Sequence, residues 1–209
     1  VLAPGEKEAV KIPSGPKMTA SQMVREVKRS VAHSAYDVVS VGYPGPVVHG
    51  RPVHEPRNLG GGWVGFDFSK AFARPVKIIN DAAMQAVGSY EGGRMLFLGF
   101  GTGLGSAMIA DGRLAPMELA HLPYKKGKSY EEFVGLRALE HMGKKKWRKE
   151  VQRVVVHFMQ VLQADYAVLG GGNAKKLKKL PPHSRLGDNS NAFLGGLRLW
   201  GKLSKDLGV

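Results

Sequence analysis

Three short stretches of the chain carry residue types that could do chemistry. Asn80-Asp81 closes an apolar run, Pro75 to Asn80, and opens a stretch of helix formers that reaches Tyr90. A carboxylate at such a strand-to-helix junction stands where α/β sheets place ligands, and it could take a proton from a substrate hydroxyl. Asp is equally a standard helix N-cap, and position alone favours the cap. The second stretch is Gly-Phe-Gly-Thr-Gly-Leu-Gly over 99–105. It does not fit the dinucleotide fingerprint, because Gly105 follows Gly103 after one residue and a strand-like Ser106–Ala110 follows in place of a helix. A glycine loop joining two strands lets backbone N–H groups curl around an anion, and Thr102 adds a hydroxyl; an ordinary Gly-rich hairpin has the same composition. The third stretch, Leu169-Gly-Gly-Gly-Asn173, runs from a strand through glycines into an expected helix. It reads either as an anion or nucleotide site at a helix N-terminus or as a tight packing turn.

The elements that must position these stretches follow from periodicity and punctuation. Strands are expected at 9–12, 37–42, 75–80, 95–100, 106–110 and 166–169, and helices at 19–33, 67–73, 81–90, 129–142, 144–164, 174–180 and about 189–205. Thr19 can cap the first helix, and Asp111-Gly112 is a tight-turn dipeptide. Residues 50–65 are rich in Gly and Pro and read as a long binding-type loop. Strands alternating with helices predict an α/β fold.

Composition bounds the partners. With 43% apolar and 23% charged residues, the chain has the make-up of a soluble globular protein. It holds no apolar run near the roughly 20 residues of a membrane span, so no membrane partner is expected. Pro4, Glu6, Lys7 and Glu8 interrupt any signal-peptide pattern, and the absence of cysteine excludes disulfides and fits a cytoplasmic setting. The net charge is +14, and residues 125–179 hold fourteen Lys/Arg against five Asp/Glu. Such a field attracts polyanions such as nucleotide, polyphosphate or nucleic acid, although a solvated basic face has the same composition.

The order of the segments carries a resemblance. Val41-Gly-Tyr-Pro-Gly45, Pro56-Arg-Asn-Leu-Gly60-Gly-Gly-Trp63, Ile79-Asn-Asp-Ala82, Phe97 to Gly105, Glu118-Leu-Ala-His121 and Leu169 to Asn173 resemble, in this order, the ROK family of sugar kinases. Tyr124-Lys-Lys-Gly-Lys-Ser-Tyr-Glu131 and the Lys/Arg run 144–149 resemble its polyphosphate-using glucokinase branch. The resemblance implies the sugar kinase–actin–Hsp70 fold, with two ribonuclease-H-like α/β lobes and a cleft between them. Residues 1–80 plus the final helix would form the first lobe and 81–188 the second. It implies phosphoryl transfer from polyphosphate or ATP, with magnesium, to the 6-hydroxyl of glucose, in a homodimer.

Residue by residue, the resemblance makes Asp81 the general base and puts Asn80, Asn58, Glu118, His121 and Glu131 on the sugar. Gly101, Thr102 and Gly103 would hold donor phosphates, with Gly171 and Gly172 on the nucleotide side. Lys125, Lys126, Lys128, Lys144, Lys145 and Lys146 would extend the donor site along a polyphosphate chain. Sugar hydroxyls both donate and accept, which suits Glu118 and His121; spacing alone reads them as surface residues.

Three departures stand out. Position 120 is Ala where the family usually has Gly. The family's Cys-rich zinc motif is absent, so neither zinc nor any other metal held by the protein alone is expected. The Asp-x-Gly-Gly-Thr phosphate loop is not in this sequence, which leaves a truncated sequence or a degenerate, non-catalytic sugar or polyanion binder as alternatives. A DNA-binding regulator would carry a helix-turn-helix segment, which the sequence does not display, so nucleic acid is not an expected partner.

Overall fold

A computed structural model describes residues 1–2 and 8–201. The chain divides into two compact units, Val1–Asp81 and Ala82–Val209.

The first unit opens with α1 (Ala20–Ser30), which begins where expected because Thr19 and Gln22 form a reciprocal capping box. Two parallel strands, β1 (Val39–Tyr43) and β4 (Val76–Asn80), pair in register from Val39–Val76 to Tyr43–Asn80. Between them lie a small hairpin, β2 (Val47–Val48) with β3 (Arg51–Pro52), and the short α2 (Phe68–Phe72), capped by the Asp67 carboxylate. Ala20, Val24, Tyr43, Trp63, Phe68, Phe72 and Ile78 form the core. The expected strand at 9–12 is absent. Val10 exchanges two backbone hydrogen bonds of 2.8 Å with Val1, and its neighbours join no ladder.

The long loop after β3 is built rather than loose. Glu55 accepts from the backbone N–H of Trp63 and Val64 at 3.1 Å, and Gly60 N–H donates to Met18 O at 2.9 Å. The Tyr43 hydroxyl donates to His54 O at 2.7 Å. Burial, reinforced by the Glu55 charge, pushes that hydroxyl's pKa up to about 12, so it stays a donor at all ordinary pH.

The second unit is organised by a five-stranded sheet in the order β11-β10-β5-β6-β7. Here β5 is Met95–Phe100, β6 Leu104–Ala110, β7 Arg113–Met117, β10 Tyr166–Gly170 and β11 Ser184–Leu186. The first three strands in that order run parallel; β6 and β7 fold back antiparallel through the Asp111-Gly112 turn. Strands β7 and β11 are not among the expected strands. Pro116 inside β7 argues against a strand, yet an edge strand tolerates it, and β11 is only three residues long.

Helix α4 (Glu131–Val134) and the long α5 (Leu136–Val161) cover the expected 129–142 and 144–164 helices. The expected division at 143 is present, because Gly143 takes φ +77° and splits α5 into two helical stretches, and a further break falls at Gly135. Trp147, Val151, Val154, Val155 and Phe158 of α5 bury against Leu96, Leu98 and Phe100 of β5 and Ala167 and Leu169 of β10. A hairpin of β8 (Pro123–Lys125) and β9 (Lys128–Ser129) precedes α4.

The expected helix 174–180 shrinks to a single 3-10 turn, Ala174–Lys176. Its carbonyls are claimed from outside: Arg148 Nε donates to Lys176 O and Gln152 Nε2 to Lys179 O, each at 2.6 Å. Helix α3 (Asp81–Ser89) and α6 (Asn191–Arg198) cross through glycine. The expected continuation of α6 to 205 lies partly outside the described residues. The last helix, expected with the first lobe, bonds to α3 through Asn191 Nδ2 to Ser89 Oγ and through Arg198 to the Val87 and Gly88 carbonyls. A Cβ on Gly195 would stand 1.9 Å from Met84 O, and one on Gly88 1.8 Å from Asn191 O. Backbone against backbone cannot yield as a flexible side chain can. Gly88→Ala is therefore expected to destabilise the second unit by about 3 kcal/mol. Urea denaturation reads this as a lower midpoint; an unchanged midpoint contradicts the crossing.

Candidate active site

Strands β5 and β10 end side by side, with Gly99 paired to Gly170, and both leave the sheet through glycine. In α/β sheets the loops outside the carboxyl ends of parallel strands are where ligands bind. Gly171 takes φ +80°, and a Cβ there would stand 2.5 Å from Phe100 O, so only glycine fits. Asn173 ties the two loops together. Its backbone N–H donates to Phe100 O at 2.9 Å and its Nδ2 to Gly101 O at 3.0 Å, while its Oδ1 accepts from the Lys176 ammonium. The side chain is 7% exposed, so each of these bonds is shielded from water. Asn173 is the end of a glycine motif in sequence, and its partner Gly101 lies 72 residues away, which no local pattern reveals.

The glycine hairpin has a second anchor. Gly101 N–H donates to Gly103 O at 3.1 Å, closing the turn around the exposed Thr102. The Glu131 carboxylate accepts from Leu104 N–H at 3.2 Å and lies so close over Gly103 that a Cβ there would be 2.1 Å from Oε2. Thr102 O accepts from Leu136 N–H at 3.1 Å at the start of α5. Glu131, expected on the sugar, and Gly103, expected on the donor, are thus neighbours.

Glu118 precedes, and His121 ends, a 3-10 turn, Leu119–His121, with Glu118 Oε2 4.0 Å from His121 Nε2 and both side chains about half exposed. Between them Ala120 is 2% exposed and packs into the main core, so its methyl is a packing group. The turn is held to the sheet by Ser106, whose hydroxyl donates to Met117 O at 2.9 Å and accepts from Leu119 N–H at 3.2 Å.

In the first unit, the parallel pairing of β1 with β4 brings the Tyr43–Pro46 loop beside the Asn80-Asp81 junction. Asn80 Nδ2 donates to Gly45 O at 3.0 Å and fixes that loop. Asp81 is the first residue of α3 and is exposed, and its charge is favourable at a helix N-terminus. Asn58 is exposed on the loop that Glu55 organises.

The basic residues separate into two kinds. Lys126, Lys128, Lys144, Lys145 and Lys146 are exposed. Lys125 instead forms a 2.7 Å ion pair with Glu150 and lies over the rings of Tyr124 and Phe133, so it helps hold the β8–β9 hairpin to α5. Among the described residues no three His, Asp or Glu side chains converge as metal ligands, and no helix is long and apolar enough to cross a membrane.

No protein-family model matches the chain. Its sequence is 32% identical over 163 residues to polyphosphate glucokinase from Mycobacterium tuberculosis (strain CDC 1551 / Oshkosh), covering 69% of this chain and 59% of that protein. The chain therefore spans less than two thirds of the length of this curated relative. Among solved structures it is similar to the inorganic polyphosphate/ATP-glucomannokinase of Arthrobacter sp. strain KM, with 29% identity, a TM-score of 0.64 and coverage of 84% and 78% of the two chains. The ROK hexokinase of Thermus thermophilus shares the fold at 19% identity and a TM-score of 0.68, over 89% of this chain and 87% of its own. The fold is that of the sugar kinase–actin–Hsp70 class. Fold and sequence together place the chain in the ROK family of sugar kinases, beside the polyphosphate glucokinases.

The Lys125–Glu150 pair generates a pH test. Burial pushes the Glu150 carboxyl up, but the hydrogen bond and charge of Lys125, joined by Arg153, hold it net below its usual value of 4.5. A carboxylate with a folded pKa below the unfolded one contributes stability above the unfolded value and loses it as pH falls through the folded one. Glu150→Gln is expected to cost about 2 kcal/mol at pH 7, a cost that vanishes progressively below about pH 4. Urea titrations across that range check it; a difference independent of pH contradicts it.

Proposed function

We propose that this chain carries the acceptor and donor loops of a glucokinase that transfers a phosphoryl group from polyphosphate or ATP to the 6-hydroxyl of glucose. The observation that carries the reading is the junction of two glycine loops at the ends of β5 and β10, locked through Asn173. The N–H groups of Gly101 and Asn173 are committed inside the loops. An anionic donor would then be met by the N–H groups of Thr102, Gly103 and Gly172 and by the Thr102 hydroxyl. The similarity to a polyphosphate glucokinase and to a polyphosphate/ATP-glucomannokinase supports this choice of donors.

In the proposed reaction the glucose 6-oxygen attacks the terminal phosphorus and the bond from that phosphorus to its bridging oxygen breaks. ADP, or a polyphosphate one unit shorter, leaves. The hydroxyl proton passes to the Asp81 carboxylate. Glu118, His121, Glu131, Asn80 and Asn58 hold sugar hydroxyls, and Gly171 and Gly172 line the nucleotide side. Transfer of this kind rests on positioning and on neutralising the charge of the phosphoryl group. Magnesium in this reading travels with the donor phosphates, since that ion is usually bound by one or two carboxylates together with substrate phosphates. The exposed Lys126, Lys128, Lys144, Lys145 and Lys146 lend positive charge along which a polyphosphate chain could run.

Asp81→Asn removes the proton acceptor but keeps the shape of the side chain. It is expected to lower glucose 6-phosphate formation, from ATP or from polyphosphate, by at least about a hundredfold while calorimetric glucose affinity stays within threefold. Turnover near that of the unaltered chain would sink the assignment of the base.

A further inference from the structure

Resting on the sugar-kinase reading above, we infer that Ser106 is a positioning residue for sugar recognition, acting through Glu118. Three observations converge on it. Ser106 is 2% exposed, one of few buried polar side chains among the described residues. Its single hydroxyl makes two bonds, donating to Met117 O at 2.9 Å and accepting from Leu119 N–H at 3.2 Å. Those two partners are the residues on either side of Glu118.

The topology explains why a clamp is needed there. Ser106 pairs with Met117, the last residue of β7, and beyond that pair the chain leaves the sheet. Glu118 takes φ −116° and ψ 53°, outside both strand and helix, and the 3-10 turn carrying His121 begins at once. Nothing in the β6–β7 ladder fixes that departure. A hydroxyl is suited to fix it, because it is short and both donates and accepts. Alanine would take away the partner of the Leu119 N–H at a partly buried position, and the turn could then rotate to find another. The clamp also stands one residue beyond Gly105, so the strand that ends the donor-side glycine hairpin directly positions the turn bearing Glu118 and His121.

The test is a double-mutant cycle on glucose binding by the 209-residue chain, read by calorimetry. Ser106→Ala and Glu118→Gln are each expected to weaken glucose binding about tenfold, and the double variant no more than about twofold beyond Glu118→Gln alone, because residues acting through one another are not additive. A purely structural role for Ser106 gives losses that multiply in the double variant. Ser106→Cys, close in size and with only a weak S–H donor, keeps the packing should Ser106→Ala fold poorly, and is expected to lose about fivefold through the same coupling. Unaltered affinity in both Ser106 variants, or multiplying losses, overturns the inference while leaving the sugar-kinase reading intact. Failure of the unaltered chain to bind glucose overturns that reading and this inference with it.

Discussion

Two parallel neighbouring strands that end at the same level must send their chains out of the sheet at the same edge. In the second unit this constraint falls on β5 and β10, paired from Tyr166–Met95 to Gly170–Gly99. Where the two backbones leave side by side, a side chain is excluded at Gly170 and Gly171, whereas Gly101 and Gly172 stand in open space. A Cβ at Gly171 would meet the Phe100 backbone, and one at Gly170 would meet the Phe97 ring at 2.5 Å. Asn173 then converts a permissive turn into a fixed one by bonding both loops from a buried position. The Glu131 contact to the hairpin, the α5 start at Thr102 O and the turn clamped by Ser106 are all set from this frame.

Much of that frame was legible in the sequence, because its signals are local. The glycine spacing, the Asp111-Gly112 turn, the apolar runs of β4, β5 and β10, and the Thr19 cap each act within a few residues. What escaped was tertiary. The 174–180 segment has helix-forming residues, but α5 side chains take its carbonyls. Strand β7 hides behind Pro116, tolerable because only one neighbour asks for its hydrogen bonds. Lys125 reads as one charge in a basic run, yet Glu150, 25 residues on, claims it. Asn173 and Ser106 look unremarkable until partners far along the chain are seen.

The same division applies to the candidate site. Glycine loops announce themselves, whereas the roles proposed for Glu118, His121 and Asn58 rest on the resemblance in segment order. The solved relatives bear out the fold and the family. They share a scaffold in which fold alone does not dictate chemistry, so the chemistry rests on the residues themselves. On that ground the second unit offers a coherent picture: the Glu131 carboxylate and the turn bearing Glu118 and His121 are both bonded to β6, the strand that closes the glycine hairpin with β5.

In the proposed function these loops recognise a sugar and a phosphate donor separately. Backbone amide NMR of the chain, titrated with glucose and in a second sample with tripolyphosphate, tests it most directly. Glucose is expected to shift the amides of residues 118–121 and 131, and tripolyphosphate those of 101–105 and 171–173. Glucose that moves no amide, or tripolyphosphate shifts confined to the exposed lysines at 144–146, would contradict it.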